Sequence, residues 1–437
     1  MFTREVMVAF SVVFLWSNLV SGQTREEKVR ADKGKFETST DWIYNDVEQG
    51  FAEAKRTGKP LLVTLRCIPC EECVKLDDDV IEADASLQEL LKQFVRVRQI
   101  STNGLDLSLF QFDTDQSYAV FLFNADGTIY GRYGTRSDRV HHSDDVSSSG
   151  LARALEGALE MHRDFSSHRS ALQAKRGQPP PFKAPELYPT LKGKYGRQLD
   201  FVGNVVKSCI HCHQIGDAQI EYHLSQGAIP DEVLFPFPHP KVIGLKLDPQ
   251  QRATVLQVEA DSAAAMAGLK SGDQIVTLGG QPMLSLADVQ WVLHHVPATG
   301  GKVDAEVLRD GRPVKITIGL ADGWRKKDDL AWRASTWQLR MIGIGGMVLK
   351  PVTAEPSTNS NANPTRLEVS HVGQYAPHDR ALQAGLRAGD VLVSFDGHTD
   401  FVRETDVLVH ALAHRNKPLT IDVLRNGQRK SFVIPPK

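Results

Sequence analysis

The stretch Lys59-Pro60-Leu61-Leu62-Val63-Thr64-Leu65-Arg66-Cys67-Ile68-Pro69-Cys70-Glu71-Glu72-Cys73 decides the reading of the N-terminal half. Residues 61–65 form a short, mainly apolar run of the length of a buried strand. From Val74 onward, Leu76, Val80 and Ile81 recur at helical spacing. A C-x-x-C pair therefore falls at a strand-to-helix junction. There the N–H groups of the helix's first turn stabilise a thiolate, lowering the pKa of the leading cysteine so that it is nucleophilic at neutral pH. Glu71 and Glu72 act in the opposite sense, because neighbouring negative charge raises a thiol pKa. A structural thiol pair, or a soft-metal knot of Cys67, Cys70 and Cys73, fits the same spacing.

Outward from this stretch, residues 45–56 read as a helix and 94–97 as a second strand. Residues 119–123 form a third strand that enters a hairpin turn at Asp126-Gly127. On these residues the segment 35–165 resembles a thioredoxin-like domain of the thioredoxin-7 subgroup. The resemblance implies that Cys70 is the attacking thiol and Cys73 the resolving one, with Cys67 as an additional thiol. The chain departs from the family pattern at Ser117-Tyr118-Ala119, which lacks the proline that thioredoxins place beside the active site.

All five cysteines lie in two clusters, and the second is Cys209-Ile210-His211-Cys212-His213. This C-x-x-C-H motif is the signal for covalent haem c: two thiols one helical turn apart form thioethers with the vinyl groups, and the adjacent His213 turns onto the iron. A plain disulfide or half of a zinc site satisfies the same residues. No methionine occurs between residues 214 and 240, so His223 and His239 are the candidate sixth ligands. Gln178-Pro179-Pro180-Pro181 reads as a linker, which confines this haem-c-like segment to residues 182–240.

The C-terminal half contains a repeat. Ala267-Gly268-Leu269-Lys270-Ser271-Gly272-Asp273 recurs as Ala384-Gly385-Leu386-Arg387-Ala388-Gly389-Asp390, and Val307-Leu308-Arg309-Asp310-Gly311 recurs as Val423-Leu424-Arg425-Asn426-Gly427. The two copies, 241–322 and 341–437, resemble bacterial PDZ domains of the type found in periplasmic proteases. That resemblance implies capture of extended C-terminal peptides from client proteins by strand addition. The carboxylate would lie at Val242, Ile243, Gly244 and Leu245, and less clearly at residues 342–345 of the second copy. A polar insertion at 355–364 interrupts the second copy. Three of the six tryptophans gather in the 323–340 connector, where their simplest role is packing. Neither G-x-S-x-G nor G-N-S-G-G occurs, which disfavours protease activity.

Arg4, the apolar core of residues 6–15 and Val20-Ser21-Gly22 have the proportions of a secretory signal ending at residue 22. This predicts a periplasmic or secreted protein with no membrane span in the mature chain. Lys and Arg total 51 against 53 Asp and Glu with no basic block, which argues against a nucleic-acid partner. The 437 residues suffice for several cores. The predicted fold class is multidomain: an α/β thioredoxin-like domain, a short haem-c-like segment and two mainly-β PDZ domains. This order resembles the bacterial thioredoxin-7/PDZ (seleno)protein family. The resemblance implies redox chemistry, as thiol–disulfide exchange, haem-mediated electron transfer or both, on clients recruited by the PDZ domains. A non-catalytic PDZ scaffold with structural or metal-binding cysteines is the alternative.

Overall fold

The computed structural model describes residues 23–68, 85–116, 118–137, 142–352 and 366–437. The expected signal peptide, Cys70, Cys73, the helix expected from Val74, Ser117 and the 355–364 insertion lie outside these residues.

The N-terminal domain is a five-stranded sheet of β1 (Ile43–Tyr44), β2 (Leu61–Arg66), β3 (Val95–Gln99), β4 (Tyr118–Phe123) and β5 (Ile129–Tyr133), ordered β1-β3-β2-β4-β5. The β1–β3 and β2–β3 pairs are parallel, and the β2–β4 and β4–β5 pairs antiparallel. β2 is buried at every residue because helices cover both faces of the sheet, so its sequence is a continuous apolar run instead of an alternation. On one face Leu61, Val63, Leu65, Phe121 and Phe123 pack with Ala54 of α2 (Val47–Thr57). On the other, Leu62, Val120 and Leu122 meet α3 (Ala85–Leu91) and α4 (Ser148–Arg163). α2 begins where the Asp46 side chain accepts from Gln49 N–H and ends at Gly58 in the left-handed region. Gly50 lets α2 approach the sheet, since a Cβ there would lie 2.4 Å from Val97 Cγ2.

Before β1 lies α1 (Arg25–Phe36), and α5 (Phe165–Leu172) follows α4. The segment from 173 to 240 has one long helix, α6 (Cys212–Ser225). Its small core of Tyr188, Leu191, Ile210, Ile215 and Ala218 includes Leu107 of the N-terminal domain, so it packs as an appendage of that domain. The expected linker is pinned: Gln111 Nε2 donates to Gln178 O at 2.8 Å, and Gly177 N–H donates to Gln111 Oε1 at 2.9 Å.

The first C-terminal unit contains β6 (Leu245–Leu247), β7 (Val255–Val258), β8 (Gln274–Leu278), β9 (Gln281–Pro282), β10 (Gly301–Arg309), β11 (Arg312–Leu320) and α7 (Leu286–His294). After the connector helix α8 (Thr336–Gly343), the second contains β12 (Met347–Val352), β13 (Arg366–Val372), β14 (Val391–Phe395), α9 (Glu404–Ala413), β15 (Leu419–Arg425) and β16 (Gln428–Ile434). The sequence repeat is also a repeat of contacts. Arg309 holds Asp273 and Gly268 O, while Arg425 holds Asp390 and Gly385 O. In both copies the aspartate also accepts from a backbone N–H three residues before it, Lys270 or Arg387, at 2.9 Å. The repeated Gly-x-x-x-Gly-Asp turn is thus fastened by the arginine of the later strand.

The units pack closely. α7 is buried along its length, and its Asp288 pairs with Lys175 at 2.8 Å, both fully out of water. Asp288 also accepts from Arg132 N–H of β5 at 3.2 Å. In the connector Trp324 packs as expected, in the core of the first C-terminal unit, and arginines add hydrogen bonds that tie the units together. Arg325 donates to Phe235 O and Val296 O, and Arg333 to Asp113, while Trp324 and Trp332 lie against their guanidinium groups.

Candidate functional site

Cys67 follows the last residue of β2, so the central strand of the sheet delivers its thiol to the end of the sheet where β2 finishes. The loop after β3 brings the second cluster to the same place. Asn103 donates to Gly196 O and Ser208 O and accepts from Ile210 N–H at 2.8 Å. Thr102 gives its N–H and hydroxyl to Ile210 O at 3.2 and 2.8 Å. From the far side, α1 offers Glu26, whose carboxylate accepts from Val205 and Val206 N–H at 3.0 and 3.1 Å. Held from both sides, residues 208–212 present His211 Nδ1 to Cys67 Sγ at 2.8 Å.

Burial, with His213 and Arg25 adding positive charge, lowers the His211 pKa to about 4. The imidazole is therefore neutral at pH 7, so its Nδ1 lone pair can accept a hydrogen bond from the Cys67 thiol, although so low a pKa makes it a weak base. The rings of His211 and His213 stack 5.7 Å apart. Cys209 is buried with its thiol toward Ile210 O, and burial pushes its pKa up to about 12. It is thus a poor nucleophile. Cys212 opens α6, half-buried against the phenylalanine face of the sheet. No disulfide joins Cys67, Cys209 and Cys212 to one another.

The residues of the C-x-x-C-H motif do not fit a haem in this packing. The void bounded by Cys67, His211 and Cys212 is about 10 Å³, whereas a ligand of porphyrin size needs a pocket of several hundred cubic ångströms. A larger cavity, about 230 Å³, lies along α6 between Phe110, Tyr188, Ile215 and Trp291, and neither Cys209 nor Cys212 lines it. The expected sixth ligands are misplaced as well. His223 is on the same helix as His213, ten residues or roughly 15 Å along its axis. His239 has both ring nitrogens engaged, Nε2 with Asp145 at 3.1 Å and Nδ1 with Lys241 N–H at 3.2 Å.

The peptide-binding residues expected in the first repeat fall at a tight turn. Val242 and Ile243 lie in a 3₁₀ turn (Pro240–Ile243), Gly244 closes it at φ 76°, and Leu245 begins β6. A side chain at Gly244 would strike Ser262, whose Cβ is 2.1 Å from the position of a Cβ there. Among the described residues β6 pairs only with β7, leaving an edge for strand addition. In the second repeat the corresponding edge strand is β12. There Leu349 N–H is taken by Glu404 Oε1 at 2.8 Å, Arg340 holds that carboxylate, and Pro351 has no N–H to give.

A five-stranded mixed sheet with a cysteine at the tip of its central strand is joined to units with the Gly-x-x-x-Gly-Asp turn, the arrangement of a thioredoxin-like domain linked to a PDZ domain. A thioredoxin-like family model matches residues 42–125 and a PDZ domain model residues 241–320. The chain therefore carries a thioredoxin-like domain and a PDZ domain. Among curated proteins it is similar to a probable periplasmic serine endoprotease DegP-like of Pseudomonas savastanoi pv. phaseolicola, 27% identical over 31% of this chain and 35% of that protein. It is also similar to the periplasmic serine endoprotease DegP of Salmonella typhimurium, 32% identical over 34% of this chain and 27% of that protein. The chain thus spans about a third of the length of these relatives. A solved disulphide isomerase from Xylella fastidiosa Temecula1 overlays 28% of this chain and 88% of its own at 19% identity with a TM-score of 0.18. Among the described residues no helix is long and apolar enough to cross a membrane.

Proposed function

We propose that this is an extracytoplasmic thiol–disulfide exchange protein in which Cys67 is the attacking thiol, His211 its base, and the first PDZ unit the client-binding module. One observation carries the reading: the 2.8 Å approach of Cys67 Sγ to the neutral His211 imidazole, at the strand tip where this fold places reactive thiols. His211 takes the thiol proton, and the Cys67 thiolate attacks a client disulfide. A mixed disulfide forms and one client thiolate leaves. A second thiol of the cluster then displaces the other client sulfur, so the client gains two electrons and the protein holds the new disulfide. Cys70, completing Cys67-Ile68-Pro69-Cys70, has the C-x-x-C spacing for that second step. This assignment exchanges the roles implied by the family lineup, in which Cys70 attacks and Cys73 resolves. An extracytoplasmic site agrees with the secretory leader read in the sequence and with the periplasmic names of the relatives, whose protease activity is not carried over.

The reading is tested with the purified full chain, by reduction of a protein disulfide substrate and by trapping mixed disulfides. Cys67→Ser and Cys70→Ser should each abolish turnover, with Cys70→Ser accumulating a mixed disulfide on Cys67 and Cys73→Ser retaining activity. Activity that survives in Cys67→Ser but is lost in Cys73→Ser would restore the other lineup. If no cysteine variant changes anything because wild type is inactive, the chain is a non-catalytic PDZ scaffold.

A further inference from the structure

The second repeat contains a cluster that the thiol chemistry does not use. Asp396 lies in the turn after β14, in the left-handed region at φ 51°. His410 lies on α9, and His414 caps the same helix four residues, or about one turn, later. One ligand atom from each of the three residues lies within 4.8 Å of the other two. His410 Nε2 already stands 2.9 Å from Asp396 Oδ2. The ring of His398, two residues beyond Asp396, is centred 4.8 Å from that of His410.

The tautomers follow from the partners: His410 Nε2 gives its hydrogen to the Asp396 carboxylate, a proton that an incoming metal displaces. His414 Nδ1 lies 2.9 Å from His410 O. A carbonyl only accepts, so this Nδ1 carries the hydrogen and Nε2 keeps its lone pair. Metal-bound histidines are oriented in the same way, by giving the second N–H to a backbone oxygen. The donor set also selects the ion. Two neutral imidazoles and one carboxylate suit zinc and its neighbours, whereas calcium and magnesium call for oxygen ligands alone. Tetrahedral bonds of about 2.0–2.1 Å put ligand atoms roughly 3.3 Å apart. The His410–Asp396 pair is already near that separation, and the third ligand atom lies within 4.8 Å of both. Phe395 and Phe401 flank His410, so one side of the cluster is apolar while Asp396 remains a third exposed.

The arrangement is not imposed by the repeat. In the motif alignment that pairs Ala267 with Ala384, the first-copy counterpart of Asp396 is Gly279, which has no ligand to offer.

We infer that Asp396, His410 and His414 form a binding site for one divalent transition ion of the zinc class. The test uses the full chain stripped with a chelator and alkylated at its cysteines, so that thiolates cannot contribute. Zn²⁺ is titrated by calorimetry, and Co²⁺ is added as a spectroscopic probe. A single Zn²⁺ per chain should bind, and Co²⁺ should show the visible bands of a four-coordinate imidazole and carboxylate site. His414→Ala and Asp396→Asn should each weaken binding by about 100-fold or more, while His295→Ala in the first repeat should leave it unchanged. Circular dichroism of each variant establishes that the fold is retained. The inference is overturned if the alkylated wild type binds no Zn²⁺ at high micromolar concentration, or if folded His414→Ala and Asp396→Asn bind as wild type does.

Discussion

Arg333 Nη1 lies 2.8 Å from both carboxylate oxygens of Asp113, although 220 residues separate them in sequence and both side chains are buried. The same guanidinium also faces Asp115 at 3.5 Å and Asp328 at 3.4 Å. One cation therefore answers three carboxylates where the N-terminal domain meets the connector. Removing it leaves buried charge without a partner, which costs about 3–5 kcal/mol. Arg333→Ala is expected to lower the unfolding free energy by that amount in urea, and pairing it with Asp113→Leu should recover part of the loss. A loss under about 1 kcal/mol would show that water reaches the site in solution.

Asp217 on α6 has its pKa raised to about 7 from the usual 3.8, first by burial and then by the charges of Asp115 and Glu221. Folded, the carboxyl keeps its proton through a range in which the unfolded chain has released it. The native state therefore binds more protons, and the stability from this group is lost as pH rises toward 7. Asp217→Asn should stabilise the chain increasingly from pH 5 to pH 8, reaching on the order of 1–2 kcal/mol because the group is partly exposed. Thermal melts of the two proteins across that range provide the check. A constant offset would assign the effect to something other than titration.

Much of the fold could be read because it rests on local pattern. The run at residues 61–65 became β2 with Arg66 added, and the helix read at 45–56 became Val47–Thr57. What escaped is long-range or weakly patterned. α1 buries only Val29 and Phe36 and has no apolar stripe, yet its Glu26 holds the second cysteine cluster. The connector's tryptophans stand out in the sequence, but the role of Arg333 depends on Asp113, 220 residues away, and that of Arg325 on backbone carbonyls that no side-chain pattern announces. The candidate site itself joins Cys67 to a histidine 144 positions later, inside a motif whose spacing suggested haem.

Haem attachment at Cys209 and Cys212 conflicts with the burial of Cys209 and with the small void beside Cys212. Expressed with an export signal in a host that matures cytochromes c, the protein should show an intact mass without haem and no Soret band. An added haem lost in Cys209→Ser would mean that residues 208–213 repack on maturation.

Peptide capture should belong to the first repeat, because its β6 edge is open while β12 has Leu349 N–H tied to Glu404 and a proline two residues on. A library of peptides with free C-terminal carboxylates should yield micromolar ligands for the full chain, near −8 kcal/mol. Gly244→Ala should abolish binding, since the new methyl meets Ser262 at a left-handed position. Glu404→Gln in the second repeat should leave it intact. Ligands that persist in Gly244→Ala and vanish in Glu404→Gln would reverse the assignment.

The remaining prediction isolates the thiol–imidazole contact from the chemistry of the whole cluster. If His211 is the base for Cys67, its loss should slow Cys67 alone. Cys209, buried and with its thiol pKa pushed up to about 12, should stay inert whatever occupies position 211. Site-resolved alkylation by mass spectrometry separates these thiols in one experiment. In His211→Ala, the Cys67 rate at pH 7 should fall by about 10- to 100-fold, at or below the low end of what a positioned base contributes, because an imidazole of such low pKa is a weak base. His211→Gln keeps a polar group near the sulfur but offers no titratable base, so it should behave like alanine. Raising the pH should restore the rate in both variants as hydroxide replaces the lost base. Should Cys67 react equally fast in wild type and His211→Ala at pH 7, the 2.8 Å contact is a packing contact, and the nucleophile must be sought among Cys70 and Cys73.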